Sequence, residues 1–252
     1  MLETFLPTSD PWDSALLAAI FLVAGTIKGF LGIGLPAAAM GLLTLILPPT
    51  QAIPLLWLPI LATNFLQFAH APQKRELVSN YWLFAVAIIV SIFVTSMFIA
   101  DYPTALLTVA IGVAMVIFSL NLLLGLRLNI GAGRGWQIGF GVVAGGLGGI
   151  SSIWSPPVAM YLVARNASKD HFIGATGFLF LAGCIPLGAG QVIAGILTMQ
   201  VLLQSLLGLA IVLIGFRVGE GLRSRVSQTY FRRAVLIAFL LMGIRLIAIG
   251  IF

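Results

Sequence analysis

The chain of 252 residues is too apolar for a water-soluble protein, since 60% of its residues are hydrophobic, 8% are charged and the mean hydropathy is +1.13. A soluble domain carries about 25% charged residues because its surface faces water. The composition therefore predicts an integral membrane protein without a separate soluble domain. The net charge of +6 is typical of a membrane protein whose cytoplasmic loops collect Lys and Arg, so we expect no nucleic acid as a partner.

Eight hydrophobic runs follow one another along the chain. In order, they occupy residues 12–47, 51–71, 81–100, 102–125, 136–164, 171–195, 199–219 and 230–252. About 20 apolar residues span a bilayer as a helix, which predicts six ordinary spanning helices. The runs 12–47 and 136–164 are too long for one span and are interrupted by glycine and proline. We expect each of these two runs to form a broken helix folded into a re-entrant hairpin, enclosed by the rest of the protein.

The distribution of basic residues favours the two hairpins. If both interrupted runs begin and end on the same side of the membrane, with the N-terminus outside, the cytoplasmic loops hold 11 of the 13 basic residues. If all eight runs cross once, basic loops fall on both sides. The cytoplasmic residues of the first arrangement are Lys74, Arg75, Arg127, Arg134, Arg165, Lys169, Arg217, Arg223, Arg225, Arg232 and Arg233.

This arrangement divides the chain into two inverted repeats, 1–125 and 126–252, because each half holds one hairpin followed by three crossings. Glycines 25, 29 and 32 recur at 141, 145 and 148, and GLRL at 125–128 recurs as GIRL at 243–246. Inverted repeats with paired broken helices are the plan of many secondary transporters, whose substrate site lies near the bilayer midplane. The predicted fold class is an all-α polytopic membrane transporter of this kind.

The two breaks are the candidate anion site. Pro36 and the pair Pro156 and Pro157 are placed to begin the second half-helix of each hairpin, since proline is favoured at the start of a helix. Each half-helix would direct unpaired N–H groups and a partial positive charge at the protein centre. Close helix packing is the alternative role of the neighbouring glycines. The glycines assigned to the site are Gly29, Gly32, Gly34, Gly148 and Gly149.

Polar side chains complete the predicted site. Lys28 is a cation at bilayer depth, where cations are costly and usually functional, with snorkelling to an interface as the alternative. Asn64 and Gln67 share one helix face, and Gln191 lies on the corresponding run of the other half. Amide and hydroxyl donors suit an oxyanion, although interhelical hydrogen bonding accounts for each of them singly. The serines assigned to the second break are Ser151, Ser152 and Ser155.

Three stretches follow one another in a recognisable order: GTIKGFLGIG at 25–34, LPPTQAIPLLWLPILATNFLQ at 47–67 and GGLGGISSIWSPPVAMYL at 145–162. Together they resemble the TauE/SafE family of sulfite and organosulfonate exporters. The sequence departs from the family at Leu35-Pro36 and at Ile150-Ser151-Ser152, where family members often carry glycine. The family motifs fall on Gly25, Lys28, Gly29, Gly32, Gly34, Gly145, Gly148, Gly149, Pro156, Pro157 and Tyr161.

The resemblance implies transport of a small sulfur oxyanion, such as sulfite, sulfoacetate or thiosulfate, across the bacterial inner membrane. The expected partners are this anion and the lipid bilayer, and a homodimer is an open alternative to a monomer. No catalytic motif, cofactor motif or metal-ligand cluster is found in the sequence, so we expect a non-enzymatic protein without a cofactor. An anion channel and a non-transporting scaffold subunit remain as alternatives to a secondary transporter.

Overall fold

A computed structural model describes residues 11–125, 130–131, 133–222 and 225–252, which form eleven α-helices. Seven helical segments within these residues are long and apolar enough to span a membrane, so the chain is an all-helical, multi-pass membrane protein. The helices are α1 Pro11–Leu31, α2 Leu35–Leu43, α3 Pro49–Leu55, α4 Trp57–Ala69, α5 Lys74–Ser96, α6 Thr104–Leu124, α7 Arg134–Ser151, α8 Ser155–Ala164, α9 Lys169–Ile193, α10 Met199–Leu222 and α11 Gln228–Ile251.

The helices follow the hydrophobic runs closely, and both interrupted runs are broken where glycine, serine and proline lie. The run 12–47 forms α1 and α2, and the run 136–164 forms α7 and α8. Prolines stand in the first turn of α2 and of α8, as the preference of proline for helix starts predicts.

One run differs from its prediction. Residues 51–71 were expected to form one uninterrupted helix, but the helix breaks at Leu56 into α3 and α4. The cause is Pro59, whose nitrogen has no hydrogen to donate to the carbonyl of Leu55. The hydroxyl of Ser205, on α10, donates to that carbonyl over 2.8 Å and accepts from the N–H of Leu58 over 3.1 Å. A side chain from the other half of the chain therefore satisfies the backbone groups that the break exposes.

Closely packed helix pairs hold the bundle together. In the pair α1 and α10, a Cβ added to Gly25 or Gly29 would collide with the backbone carbonyl of Val212 or Phe216. In the pair α5 and α7, a Cβ added to Gly145 would lie 2.9 Å from the carbonyl oxygen of Ile88. These contacts are close approaches of helix backbones that small residues permit. The order of the contacts along each helix shows that both pairs run parallel.

The helix directions bring the basic loops to one end of the bundle, which we call the basic end. The described residues of the loops α4–α5, α6–α7, α8–α9 and α10–α11 lie there. The C-terminal end of α1 lies there too, and its Phe30 ring centroid is 4.0 Å from that of Phe231. Arg127, Arg223 and the side chain of Lys169 lie outside the described part of the chain. The basic side chains at this end are Lys74, Arg75, Arg134, Arg165, Arg217, Arg225, Arg232 and Arg233.

Replacing Ser205 tests its role at the break. Ser205→Ala leaves the Leu55 carbonyl and the Leu58 N–H without their side-chain partner, and we expect a loss of about 1–3 kcal/mol in stability. A thiol-reactive dye measures thermal unfolding in detergent, because Cys184 is the sole cysteine and is buried. The matched control is Ser119→Ala, since Ser119 is equally buried but bonds only the carbonyl of Met115 in its own helix. Equal melting temperatures of the two variants would contradict the role of Ser205 in bonding both sides of the break.

Candidate functional site

The two broken helices meet inside the bundle. After α1, the chain turns through Gly32 and Gly34, whose φ angles of 81° and 96° are left-handed and favour glycine. After α7, it turns through Ser152, which has a φ of 58°. The starts of α2 and α8 then line one cavity, which Pro36 reaches from one side and Ser155 from the other. The two interruptions that the sequence predicts are therefore neighbours in space.

Lys28 lies beside this cavity, in the last turn of α1, and its side chain is 2% exposed. Its Nζ donates a hydrogen bond of 2.7 Å to Oδ1 of Asn64, and Nδ2 of Asn64 donates to the carbonyl of Ile60 over 2.8 Å. The Phe180 ring centroid lies 5.9 Å from the same Nζ. Lys28 is thus inside the protein rather than at its surface, and its partner is a neutral amide.

No carboxylate of the described residues pairs with Lys28. The ion pair found within them joins Arg217 and Glu220, which are exposed. Cys184 is fully buried in α9, one helical turn after Phe180, whose ring lies beside Lys28. A lysine ammonium has three N–H donors, and Asn64 accepts from one of them.

Several polar atoms near the second break are buried without a hydrogen-bond partner among the described residues. They include the hydroxyl oxygens of Ser152 and Ser155 and Nε1 of Trp154. Trp154 and Ser155 line the cavity beside Lys28, and the Trp154 ring meets the Phe180 ring edge to face at 5.8 Å. Buried polar groups in folded proteins are normally paired, and an unpaired one costs free energy. These atoms are therefore positioned to bond water or a ligand.

The cavity itself is small, with a volume of about 10 Å³, which is room for about one water molecule. A sulfur oxyanion has at least four heavy atoms, so the cavity must widen to admit one. The residues that line it are Lys28, Gly34, Leu35, Pro36, Ile60, Thr63, Asn64, Trp154, Ser155 and Phe180.

Four of the site residues predicted from the sequence line this cavity, namely Lys28, Gly34, Asn64 and Ser155. The sequence reasoning missed Thr63, Trp154 and Phe180. The position of Trp154 immediately before the Ser-Pro-Pro start of α8 is a local signal for it. Thr63 and Phe180 reach the cavity only through the packing of α4 and α9, so nothing in their sequence surroundings identifies them.

Three of the four predicted glycines away from the cavity occupy packing positions, and the fourth is Gly32. Gly29 lies against α10, and Gly32 lines a different cavity, at the basic end. Gly148 and Gly149 lie inside α7, before the break, where an added Cβ would meet Trp154 and Thr95 respectively.

The remaining polar residues divide into bonded and unbonded ones. Gln67 donates to the carbonyl of Ile173 and to the hydroxyl of Thr176, which joins α4 to α9. The hydroxyl of Ser151 donates to the carbonyl of Leu147, one turn earlier in α7. Gln191 is fully buried, and neither its amide nitrogen nor its amide oxygen has a partner, but it does not line the cavity.

Two larger cavities at the basic end reach the first break. One has a volume of about 280 Å³ and is apolar apart from Arg232, and Ile33 lies on its wall. The other has a volume of about 590 Å³ and includes Gly32, His70 and Arg217. The first break therefore separates the small central cavity from space that opens at the basic end.

A double-mutant cycle tests the bond between Lys28 and Asn64. Asn64→Leu leaves a buried cation without its partner, which is strongly destabilising, so we expect a lower melting temperature. Adding Lys28→Met to that variant removes the cation, and we expect it to restore most of the loss. In the matched control, Lys28→Met is combined with Gln67→Leu, which removes hydrogen bonds that do not involve Lys28. The first pair should be strongly coupled and the control pair additive, and additivity in both would contradict the assignment.

Comparison with protein families gives one match. A family model described as "Sulfite exporter TauE/SafE" matches residues 17–246. Comparison with curated proteins and with solved structures gives no match. The matched region begins within α1 and ends within α11, so it includes both breaks and every residue that lines the central cavity.

Proposed function

Because the chain belongs to the sulfite exporter TauE/SafE family, whose members are membrane transporters of sulfur anions, we propose that it exports a small sulfur oxyanion across the bacterial inner membrane. The anion binds in the central cavity, where the two broken helices meet. The observation that carries this proposal is Lys28, a buried lysine whose hydrogen-bond partner is a neutral amide.

The charge of Lys28 supports an anion as the ligand. Moving an ammonium group out of water is costly, and the attraction of an opposite charge normally offsets much of that cost. At Lys28 the protein supplies the amide of Asn64 instead of a carboxylate. A bound oxyanion supplies the missing negative charge and accepts from the ammonium donors that Asn64 leaves unused.

The polar atoms around Lys28 supply further donors. The hydroxyl of Ser155 and the indole N–H of Trp154 line the cavity without a protein partner, and both can donate to an oxyanion. The first turns of α2 and α8 direct unpaired backbone N–H groups toward the same space. A sulfite or sulfonate group has three oxygens, so it can accept from several of these donors at once.

We further propose that the chain consists of two inverted repeats, 1–125 and 126–252, and that one moves against the other during transport. Equivalent glycines in the two halves pack in equivalent ways: Gly25 and Gly29 lie against α10, while Gly141 and Gly145 lie against α5. Each of these helices is the second crossing that follows a broken helix. In both cases the broken helix of one half packs against the second crossing of the other half. Two related repeats would produce this symmetry.

The cavities at the basic end support loading from the cytoplasm. The positive-inside rule assigns this end to the cytoplasm, and the cavities there reach the first break at Gly32 and Ile33. An anion that leaves a cell with a negative interior moves down the electrical potential, by about 2.3 kcal/mol per charge per 100 mV. Export therefore requires no coupling ion.

Flux measurements with Lys28→Met test the proposed function. In proteoliposomes that contain the wild-type protein, we expect saturable transport of labelled sulfite and counterflow against unlabelled sulfite. Lys28→Met should reduce this flux at least tenfold, because it removes the charge that binds the anion and keeps a similar volume. The matched control is Lys74→Met at the exposed start of α5, which should keep nearly the wild-type flux.

Three outcomes would contradict the proposal. Voltage-driven sulfite current without counterflow would show a channel, and a folded protein without any sulfite-dependent flux would show a non-transporting subunit. Wild-type flux in Lys28→Met would show that the anion binds elsewhere.

Protection of Cys184 tests the location of the site. Cys184 is the sole cysteine, is buried, and lies one helical turn after Phe180, which lines the cavity, so a small neutral thiol reagent can reach it only when the site opens. We expect an alkanesulfonate such as isethionate to slow the modification severalfold in the wild type and not in Lys28→Met. Sulfite is avoided because it consumes thiol reagents. Equal modification rates with and without isethionate in the wild type would contradict the location.

A further inference from the structure

We propose that the central cavity selects singly charged anions, namely alkanesulfonates and hydrogensulfite, over doubly charged ones such as sulfate, thiosulfate and sulfoacetate. This inference rests on the proposed function and narrows its substrate class. It follows from one juxtaposition: a single lysine faces a cavity whose other walls are neutral and largely apolar.

The cavity contains one charged side chain. Lys28 is the only Lys, Arg, Asp or Glu among the residues that line it. Other charged or titratable groups on the helices around the cavity lie outside its lining: most are at the basic end, and Arg245 is exposed in the C-terminal half of α11. They include Arg165 on the α8 side, Asp170 and His171 on α9, Arg217 and Glu220 on α10, and Arg232 on α11.

The half-helix N-termini add less positive charge than two ordinary helix starts. The partial charge at a helix N-terminus resides on its unpaired N–H groups. The first three residues of α2 are Leu35, Pro36 and Ala37, and those of α8 are Ser155, Pro156 and Pro157. Proline has no N–H, so half of these six positions cannot donate to an anion. Two short helices with depleted first turns are a poor substitute for a second cation.

The apolar walls penalise a second negative charge. Phe180, Ile60 and Leu35 line the cavity, and a charge buried against apolar groups without a counter-charge is costly. A singly charged sulfonate places its one charge at Lys28 and its carbon group against these walls. In the structure, Oδ1 of Asn64 accepts from one of the three ammonium donors of Lys28. We therefore expect an anion oxygen to accept from the ammonium beside or in place of this amide.

Competition between anions of similar size and different charge tests the inference at one pH. Isethionate and sulfoacetate have the same carbon skeleton, but at pH 7.5 isethionate carries one negative charge and sulfoacetate carries two. The methyl ester of sulfoacetate carries one. Each anion competes with labelled sulfite for transport by the wild-type protein in proteoliposomes. We expect isethionate and the ester to compete at least tenfold better than sulfoacetate, and methanesulfonate to compete at least tenfold better than sulfate.

The outcomes separate this inference from the proposed function. If sulfoacetate competes as well as isethionate and transport still requires Lys28, the charge selection is wrong and the transport function stands. If no anion competes and the sulfite flux is absent, both are wrong.

A variant with a second cation gives an independent measurement. Thr63 lines the same cavity and is 1% exposed, so Thr63→Lys places another ammonium beside the bound anion. In this variant we expect sulfoacetate to compete with labelled sulfite at least as well as isethionate does. The wild-type preference for isethionate is then lost. The control is Lys74→Met, which should keep the wild-type order. An unchanged order in folded Thr63→Lys would overturn the inference, and if that variant does not fold, the wild-type comparison decides.

Discussion

The bond between the Lys28 ammonium and the Asn64 amide is the interaction on which the centre of this protein depends. It places a cation in the last turn of α1, beside the break, with a carbonyl oxygen at 2.7 Å in place of a carboxylate. A carboxylate would neutralise the lysine permanently and leave it unable to attract a substrate. A neutral amide keeps the lysine hydrogen-bonded while its charge remains available. Among the described residues, no carboxylate neutralises this charge.

A second constraint comes from broken helices inside a membrane, where exposed backbone groups have no water to bond. The chain meets it by contacts between its two halves. Ser205 bonds both sides of the break at Leu56, and the indole N–H of Trp57 donates over 2.8 Å to the carbonyl of Cys184, two residues before Pro186 in α9. The Ser205 bonds satisfy backbone groups at a break, whereas the Trp57 bond joins α4 to α9, which is continuous through Pro186. These contacts also fix α4, and with it Asn64, against Lys28.

The second break is different, because its polar atoms are left without protein partners. Ser151 bonds its own helix, but the hydroxyls of Ser152 and Ser155 and the indole N–H of Trp154 have none. The protein thus satisfies its backbone where the break is structural and leaves donors unpaired where the break faces Lys28. This contrast distinguishes the two kinds of break more clearly than the presence of glycine or proline does.

The sequence by itself determined the membrane class, the bounds of most helices, both broken runs and the buried lysine, because hydrophobic length and the chemistry of proline and glycine act locally along the chain. The tertiary structure alone decided which of the candidate residues meet. It placed Asn64 and Ser155 beside Lys28, moved Gly29, Gly148 and Gly149 into helix packing, and added Trp154 and Phe180. The break at Leu56 also escaped prediction, because the partner that makes it tolerable, Ser205, is distant in sequence. Contacts between separate helices depend on how those helices cross, and a single sequence carries no local record of that geometry.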